Sequence, residues 1–296
     1  MKHRLTGRLT AYMFVLPMLI IFSIVVIYPT IGGFFYSLTD WNAMSLKINF
    51  VGFYNYTRVL GDPVFYTAVQ NTLFLTVVIV VFQNIFGLLF AVLLNNAVLK
   101  GKNFFRTIFF IPSLLSAIVT CYTWLYISNV YVGTYGLLLN ALHVSDLVKY
   151  DFFLKPTSAL LMIAFTMVWQ YAGYNMVIYL AGLQSLPTQL FEAADIDGAN
   201  PIQKFFRITL PLIVPSITVN TLINVVGCLK IFDQVYIMTK GGPGYSTTTI
   251  GTFLYNSAIS GGQLGYGTAI STILFLGVLV IAFIQVTVLR SKEVEF

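Results

Sequence analysis

LPTQLFEAADIDGANPIQKFFRITLP, residues Leu186 to Pro211, is the one charge-rich interruption in the back half of a very apolar chain. Pro187 and Thr188 open a short helix, because proline is tolerated in a first turn, where its missing N–H would be unpaired anyway. Gly198 closes that helix, and Asn200 offers a side-chain cap for a second one with Pro201 in its first turn. The spacing therefore predicts a helix, a sharp turn and a helix, with Gly198 supplying the unusual backbone angles of the corner. Leu190, Phe191 and Ala194 share one face of the first helix, while Glu192 and Asp195 neighbour each other on another. About ten residues at roughly 1.5 Å of rise make about 15 Å, far too short to cross a bilayer. Such a helix suits either insertion in a partner's groove or an ordinary surface corner.

Composition decides what surrounds this corner. Of 296 residues 58% are hydrophobic and 9% charged, with a mean hydropathy of +0.85, whereas a soluble domain carries about 25% charged residues. The chain is a polytopic membrane protein. Its net charge of +6 is small for its length, and the basic residues sit in short clusters between apolar runs, as anionic headgroups and insertion rules favour; nucleic acid is not implied. Cys121 and Cys228 both lie inside apolar runs and read as small core hydrophobes, not as a disulfide or a metal site. The first apolar run, Leu9 to Leu38, is too long for a cleavable signal and lacks a small-residue cleavage pattern, so it is expected to stay as span one.

Six runs reach the roughly 20 apolar residues that a spanning helix needs: Tyr12–Tyr36, Leu73–Leu94, Ile108–Ile127, Ala159–Leu183, Leu210–Leu229 and Ala269–Leu289. With both termini inside, the inner segments hold Lys2, Arg4, Arg8, Lys100, Lys102, Arg106, Lys204, Arg207, Arg290 and Lys292, ten of the sixteen basic residues. That bias sets an N-in, C-in topology and puts the Glu192 corner on the cytosolic side. Outside, Phe50 to Thr72 mixes aromatic and polar residues; Phe53, Tyr54, Tyr56, Phe65 and Tyr66 are expected as an interfacial belt, and Asp62-Pro63 as a turn. Asn55-Tyr56-Thr57 fits a glycosylation sequon, a weak match. Lys240–Pro243, KGGP, reads as a glycine-rich outer turn. No phosphate-binding loop occurs anywhere, so the chain is not expected to hydrolyse ATP itself.

Polar residues inside spans need partners or water, since a charge at the bilayer centre costs about 2.5–3.5 kcal/mol on insertion scales. Lys230 and Asp233, three apart, either form a same-face pair at the outer interface or line a wet cavity where span five breaks near Gly227. In span four Trp169, Gln170, Tyr171, Tyr174 and Asn175 combine aromatic faces with amides, and Asn224 adds another amide in span five. Sugars present apolar C–H faces and many hydroxyls, which such a mixture satisfies; the same residues also serve as packing glue between helices. Gln83, Asn84 and Asn220 carry the same ambiguity. His3 and His143 lie in terminal or outer loops and no acidic pair falls inside a span, so no catalytic residue, metal site or cofactor is expected.

The pattern Glu192-Ala193-Ala194, Gly198-Ala199, Ile208, Leu210-Pro211 resembles the cytoplasmic EAA loop in the membrane-spanning subunits of binding-protein-dependent ABC importers, where this helix docks in a groove of the ATPase. Asn55-Tyr56, Asp62-Pro63, Asn71-Thr72, FFRTIFFIPSLLSAIV (Phe104–Val119) and TKGGPGYSTTT (Thr239–Thr249) resemble the oligosaccharide, maltose-type branch, and the GGP turn its first permease. The resemblance implies an all-α, six-span, type I importer permease, one transmembrane domain over 1–296 with a coupling segment at 186–211. It implies Leu190, Phe191, Glu192, Ala193, Ala194, Asp197 and Gly198 as ATPase-coupling residues. It implies a sugar pathway for which Gln170, Tyr171, Tyr174, Asn175, Asn224, Lys230 and Asp233 are the candidates. Its partners would be a second, different permease, two copies of a cytosolic ATP-binding subunit, an extracytoplasmic solute-binding protein and the lipid bilayer. A non-sugar solute is the alternative within the class; an ion-gradient-driven transporter would show an inverted repeat and embedded acidic residues, and neither is present.

Overall fold

A computed structural model describes residues 13–45, 47–95, 100–143, 146 and 151–290 of the chain. Tyr12, His3, the inner cations Lys2, Arg4, Arg8 and Lys292, and the side chain of Arg290 lie outside the described residues. In chain order the helices are α1 (Met13–Tyr36), α2 (Tyr54–Leu60), α3 (Pro63–Asn95), α4 (Lys102–Leu114), α5 (Ala117–Ser128), α6 (Thr134–Ala141) and α7 (Pro156–Gln184). They continue with α8 (Thr188–Ile196), α9 (Pro201–Leu212), α10 (Val214–Leu229), α11 (Asp233–Met238), α12 (Ile250–Tyr255) and α13 (Leu264–Arg290). Besides helices and turns the described residues hold one isolated bridge, Thr39 to Phe50.

Four helices, α1, α3, α7 and α13, are long and apolar enough to cross a membrane, and the pairs α4–α5 and α9–α10 bring the spans to six if each counts as one. Neither pair is one straight helix. α4 and α5 meet at 100° and α9 and α10 at 65°. At the first bend Pro112 lacks the N–H that would reach the Ile108 carbonyl, a short 3-10 turn follows over Ile111–Leu114, and Leu115 is extended at φ −74°, ψ 144°. Ser116 then starts α5 afresh, its Oγ accepting from the Val119 N–H at 3.3 Å. At the second bend Pro215 cannot donate to the Pro211 carbonyl, and Ile213 leaves helical geometry at φ −90°, ψ 7°. Pro63 likewise opens α3 in the first turn, so span two begins well ahead of the expected Leu73.

The residues pack as two compact units, one within Met1–Asp62 and Leu254–Phe275, the other within Pro63–Phe253 and Leu276–Phe296. In the first, the buried Asn55 donates both amide protons, to the Ser37 carbonyl at 2.9 Å and the Thr39 carbonyl at 2.7 Å. Its nitrogen is therefore spent inside the fold, and the sequon is a chance match. The Gly265 N–H donates to the Trp41 carbonyl at 2.7 Å, and Phe34 meets Phe275 edge to face. The α1 side chains point outward, Phe14 at 82% and Met18 at 75% exposure, as a lipid-facing surface requires.

In the second unit α3 lies along α7. Leu75, Ile79, Ile163 and Met167 form one apolar cluster, and Ala91, Met176, Tyr179 and Ile213 a second. The free Cys121 and Cys228 are buried in the first cluster, as small core hydrophobes are. Phe65 departs from the expected belt: it is 4% exposed and packs on Phe253 at 6.1 Å, because Pro63 has already turned it onto an inward face of α3. Phe53, Tyr54 and Tyr66 are exposed, and the half-buried Tyr56 hydroxyl lies 2.7 Å from Ser37 Oγ.

Candidate functional site

Between α4, α7, α10 and α11 lies a cavity of about 500 Å³. Tyr171 and Tyr174 reach it from successive turns of α7, and Asn224 from α10. Lys230 and Asp233 reach it from a break in the chain. α10 ends at Leu229, the Lys230 and Ile231 N–H groups close tight turns onto the Gly227 and Cys228 carbonyls, and α11 starts at Asp233. The break therefore falls at residues 230–232, and Gly227 itself is helical. Because the intervening residues are not helical, Lys230 and Asp233 do not share a helix face, and no ion pair joins them among the described residues. Both side chains are exposed to the cavity, each with its charge available to a solute.

Two expected pathway residues are elsewhere. Gln170 is fully buried and donates to the Leu115 carbonyl at 2.9 Å, tying α7 to the bend between α4 and α5. Asn175 is also fully buried, its Cβ against Gly87 of α3 and its backbone carbonyl accepting from Asn220 Nδ2 at 3.2 Å. Neither lines the cavity. α7 is buried on almost every side, so polar residues on its neighbouring faces meet different surroundings. In their place the cavity gains Gln83, whose Nε2 donates to the Met167 carbonyl at 3.0 Å, together with Ser113 and Gln234. The 94%-hidden Gln234 follows Asp233 directly and Ser113 follows the helix-breaking Pro112; those two breaks were the signal available for them. The Nδ2 of Asn224 is buried without a hydrogen-bond partner among the described residues, a cost of about 1–3 kcal/mol.

The 186–211 corner forms as its turn chemistry requires. Gly198 has φ +71°, the Ala199 N–H donates to the Ala194 carbonyl at 2.9 Å and the Gly198 N–H to the Asp195 carbonyl at 3.1 Å, a Schellman ending for α8. Asn200 Oδ1 accepts from the Gln203 N–H at 2.9 Å and Gln203 Oε1 from the Asn200 N–H at 2.9 Å, a full capping box opening α9. The Lys204 ammonium pairs with the Asp195 carboxylate across the corner. Ala194 is buried and Phe191 half-buried beneath the helix, while Leu190, Glu192, Ala193, Asp197 and Gly198 are exposed. Ile196, between two aspartates, is 88% exposed.

Bent spans around a half-polar cavity, together with a short capped helix pair ending in an exposed apolar knob, define a multi-pass membrane permease. The chain belongs to the family described as binding-protein-dependent transport system inner membrane component, which matches residues 83–293. It is 32% identical over 99% of both chains to the multiple sugar-binding transport system permease protein MsmF of Streptococcus mutans serotype c. It is 34% identical, over 99% of this chain and 100% of the other, to the trehalose/maltose transport system permease protein MalF of Thermococcus litoralis. Its fold matches, with a TM-score of 0.84 and 24% identity over 96% of this chain and 94% of the other, a chain in the crystal structure of a bacterial alginate ABC transporter in complex with alginate pentasaccharide-bound periplasmic protein. The all-helical importer-permease architecture is thus the fold of this chain.

Proposed function

We propose that the chain is the pathway-forming subunit of an ATP-driven importer for an oligosaccharide or a related sugar, set in the cell membrane with both termini in the cytosol. The observation that carries the reading is the approximately 500 Å³ cavity, in which the Tyr171 and Tyr174 rings stand beside the unpaired Asn224 amide and the separate charges of Lys230 and Asp233. Aromatic faces suit the C–H faces of sugar rings and the polar groups suit their hydroxyls. Relatives named as sugar permeases over nearly their full length support the same solute class.

In this reading Leu190, Phe191, Glu192, Ala193, Ala194, Asp197 and Gly198, joined by Ile196, dock into a cytosolic ATP-binding subunit present in two copies. A second, different permease completes the pathway and an extracytoplasmic solute-binding protein delivers the sugar. The chain hydrolyses no ATP itself. Closure of the ATPases moves α8 as a lever and switches the spans between inward- and outward-open states, a rigid-body change biased by differential binding. The test is reconstitution with the partner subunits and measurement of binding-protein-stimulated ATP hydrolysis across a panel of oligosaccharides. One or a few sugars should stimulate; a complex that hydrolyses ATP but ignores every sugar while responding to an amino acid or a phosphate ester would overturn the solute class.

A further inference from the structure

The first unit carries a pocket of its own, about 350 Å³, that the pathway does not use. Its size falls at the small end of the roughly 300–1,000 Å³ range of small-molecule sites. Asp40, Trp41 and Asn42 line it together with Arg58, Gln263 and Tyr266. Each of these groups is held in position. The Arg58 guanidinium lies over the Tyr266 ring, 4.3 Å from its centroid, and Nη2 donates to Gln263 Oε1 at 2.6 Å. The Tyr266 hydroxyl donates to Asp62 Oδ2 at 3.3 Å. Asp40 accepts from the Asn49 N–H at 2.6 Å and from Asn49 Nδ2 at 2.8 Å. Those bonds hold the Asp40 carboxyl below the usual carboxylate range, so at neutral pH it is an anion that only accepts. Trp41 is braced by Tyr36 with ring centroids 4.5 Å apart, and its indole N–H has no hydrogen-bond partner among the described residues.

The chemistry selects an occupant. The lining sets one cation, Arg58, with one anion, Asp40, and the Asp62 carboxylate stands behind Tyr266, so the pocket does not select an anionic ligand. A guanidinium has five N–H donors, of which Gln263 takes one, and a carboxylate has about four acceptor sites, of which Asn49 fills two. The Trp41 indole N–H and ring face add a further donor and an apolar platform, so donors, acceptors and a platform line one pocket. We infer that this pocket, on the proposed outer face, binds one neutral pyranose ring of the transported sugar, at a place separate from the Tyr171–Asp233 cavity. The inference rests on the sugar reading above and adds a binding site to it. A solute arriving at the outer face would thereby be held by one end outside the spans.

The test uses the assembled transporter in nanodiscs without its solute-binding protein. Tyr54 lines the pocket and is 59% exposed; in a Tyr54→Cys variant, labelling of this chain by a fluorescent maleimide is followed on a gel, with the parental chain, whose Cys121 and Cys228 are buried, as background. Maltose, trehalose and arabinotriose are the probes, and sugar-stimulated ATP hydrolysis is measured on the same sample with the binding protein restored. The sugar that stimulates hydrolysis should slow labelling saturably. Arg58→Ala or Trp41→Ala should raise the half-protecting concentration about tenfold or more, as loss of a charge-assisted hydrogen bond or a stacking face implies. Val51→Cys, on the same pocket, serves as a second reporter should Tyr54 itself matter for binding. Labelling that no sugar slows at either reporter, in a transporter whose hydrolysis responds to one, overturns the pocket and leaves the function standing. Protection that appears only with the binding protein overturns it too, by making the pocket a protein contact. Hydrolysis indifferent to every sugar fails the functional reading instead, and the labelling result still decides whether the pocket takes sugar.

Discussion

Gly87 on α3 backs onto Asn175 on α7, so closely that a Cβ at residue 87 would lie 2.6 Å from the Asn175 Cβ and 3.2 Å from its carbonyl carbon. Both atoms belong to a helix packed on nearly every side, so neither can withdraw. Gly87→Ala should therefore part the central helix pair and cost about 1–3 kcal/mol, as overpacking does. Gly277→Ala, where nothing lies within 4 Å of the new methyl, is the control. Thermal unfolding of the two variants in detergent should show a clear drop for the first and little change for the second; equal melting temperatures would deny the close contact.

That contact also shows where sequence reasoning stopped. The 186–211 corner was legible because its signals are local: a glycine that must take φ +71°, and an asparagine three residues ahead of a glutamine. The number of spans was legible because hydropathy counts residues. The bends were not, since Pro112 and Pro215 sit in apolar runs where a proline can be absorbed or can turn the chain, and tertiary packing decides which. Polar residues inside α7 were found by type but not by face. Gln170 and Tyr171 are adjacent, yet one is spent on the Leu115 carbonyl and the other meets the cavity, and in a helix whose exposed face is itself apolar, polarity does not mark which residues face the cavity. Asn71-Thr72 stood out as a motif, whereas its task, holding a loop far along the chain, needed the fold.

Gly198→Val should uncouple the transporter without removing it from the membrane. Nothing crowds residue 198, so the cost is conformational, about 1–2 kcal/mol for a side chain in the left-handed region and more for a branched one. The Schellman bonds that end α8 would break and the docking face would swing. Uptake should fall steeply while surface expression and basal ATP hydrolysis persist, and Gly198→Asn, which tolerates that region, should restore much of it. Undiminished uptake in the valine variant would remove the lever from the mechanism.

Lys230 and Asp233 should act independently. They share a cavity, and no ion pair joins them among the described residues. Lys230→Ala and Asp233→Asn should each shift the sugar concentration that half-stimulates ATP hydrolysis, and the double variant should combine the shifts with a coupling below about 0.5 kcal/mol. Strong coupling would mean that the pair closes during transport, and unaltered responses in both single variants would take the residues off the pathway.

Asn71→Ala should loosen the KGGP turn. The Asn71 amide donates to the Ser246 and Thr248 carbonyls at 2.9 Å each, and next to it Thr72 Oγ1 accepts from the Ile250 N–H at 3.0 Å. The turn needs this support because Lys240 and Tyr245, which are not glycines, hold φ of 53° and 67°, conformations that cost about 1–2 kcal/mol each. Removing the amide strands two carbonyls and costs about 1–3 kcal/mol. Hydrogen exchange should then quicken across residues 239–249 while the α3–α7 core keeps its protection. Thr72→Val, which deletes the bond from the Ile250 N–H together with the hydroxyl's own bond to the Ala68 carbonyl within α3, should speed exchange at the start of α12 and leave the glycine turn slow, because Asn71 still grips it from the other side.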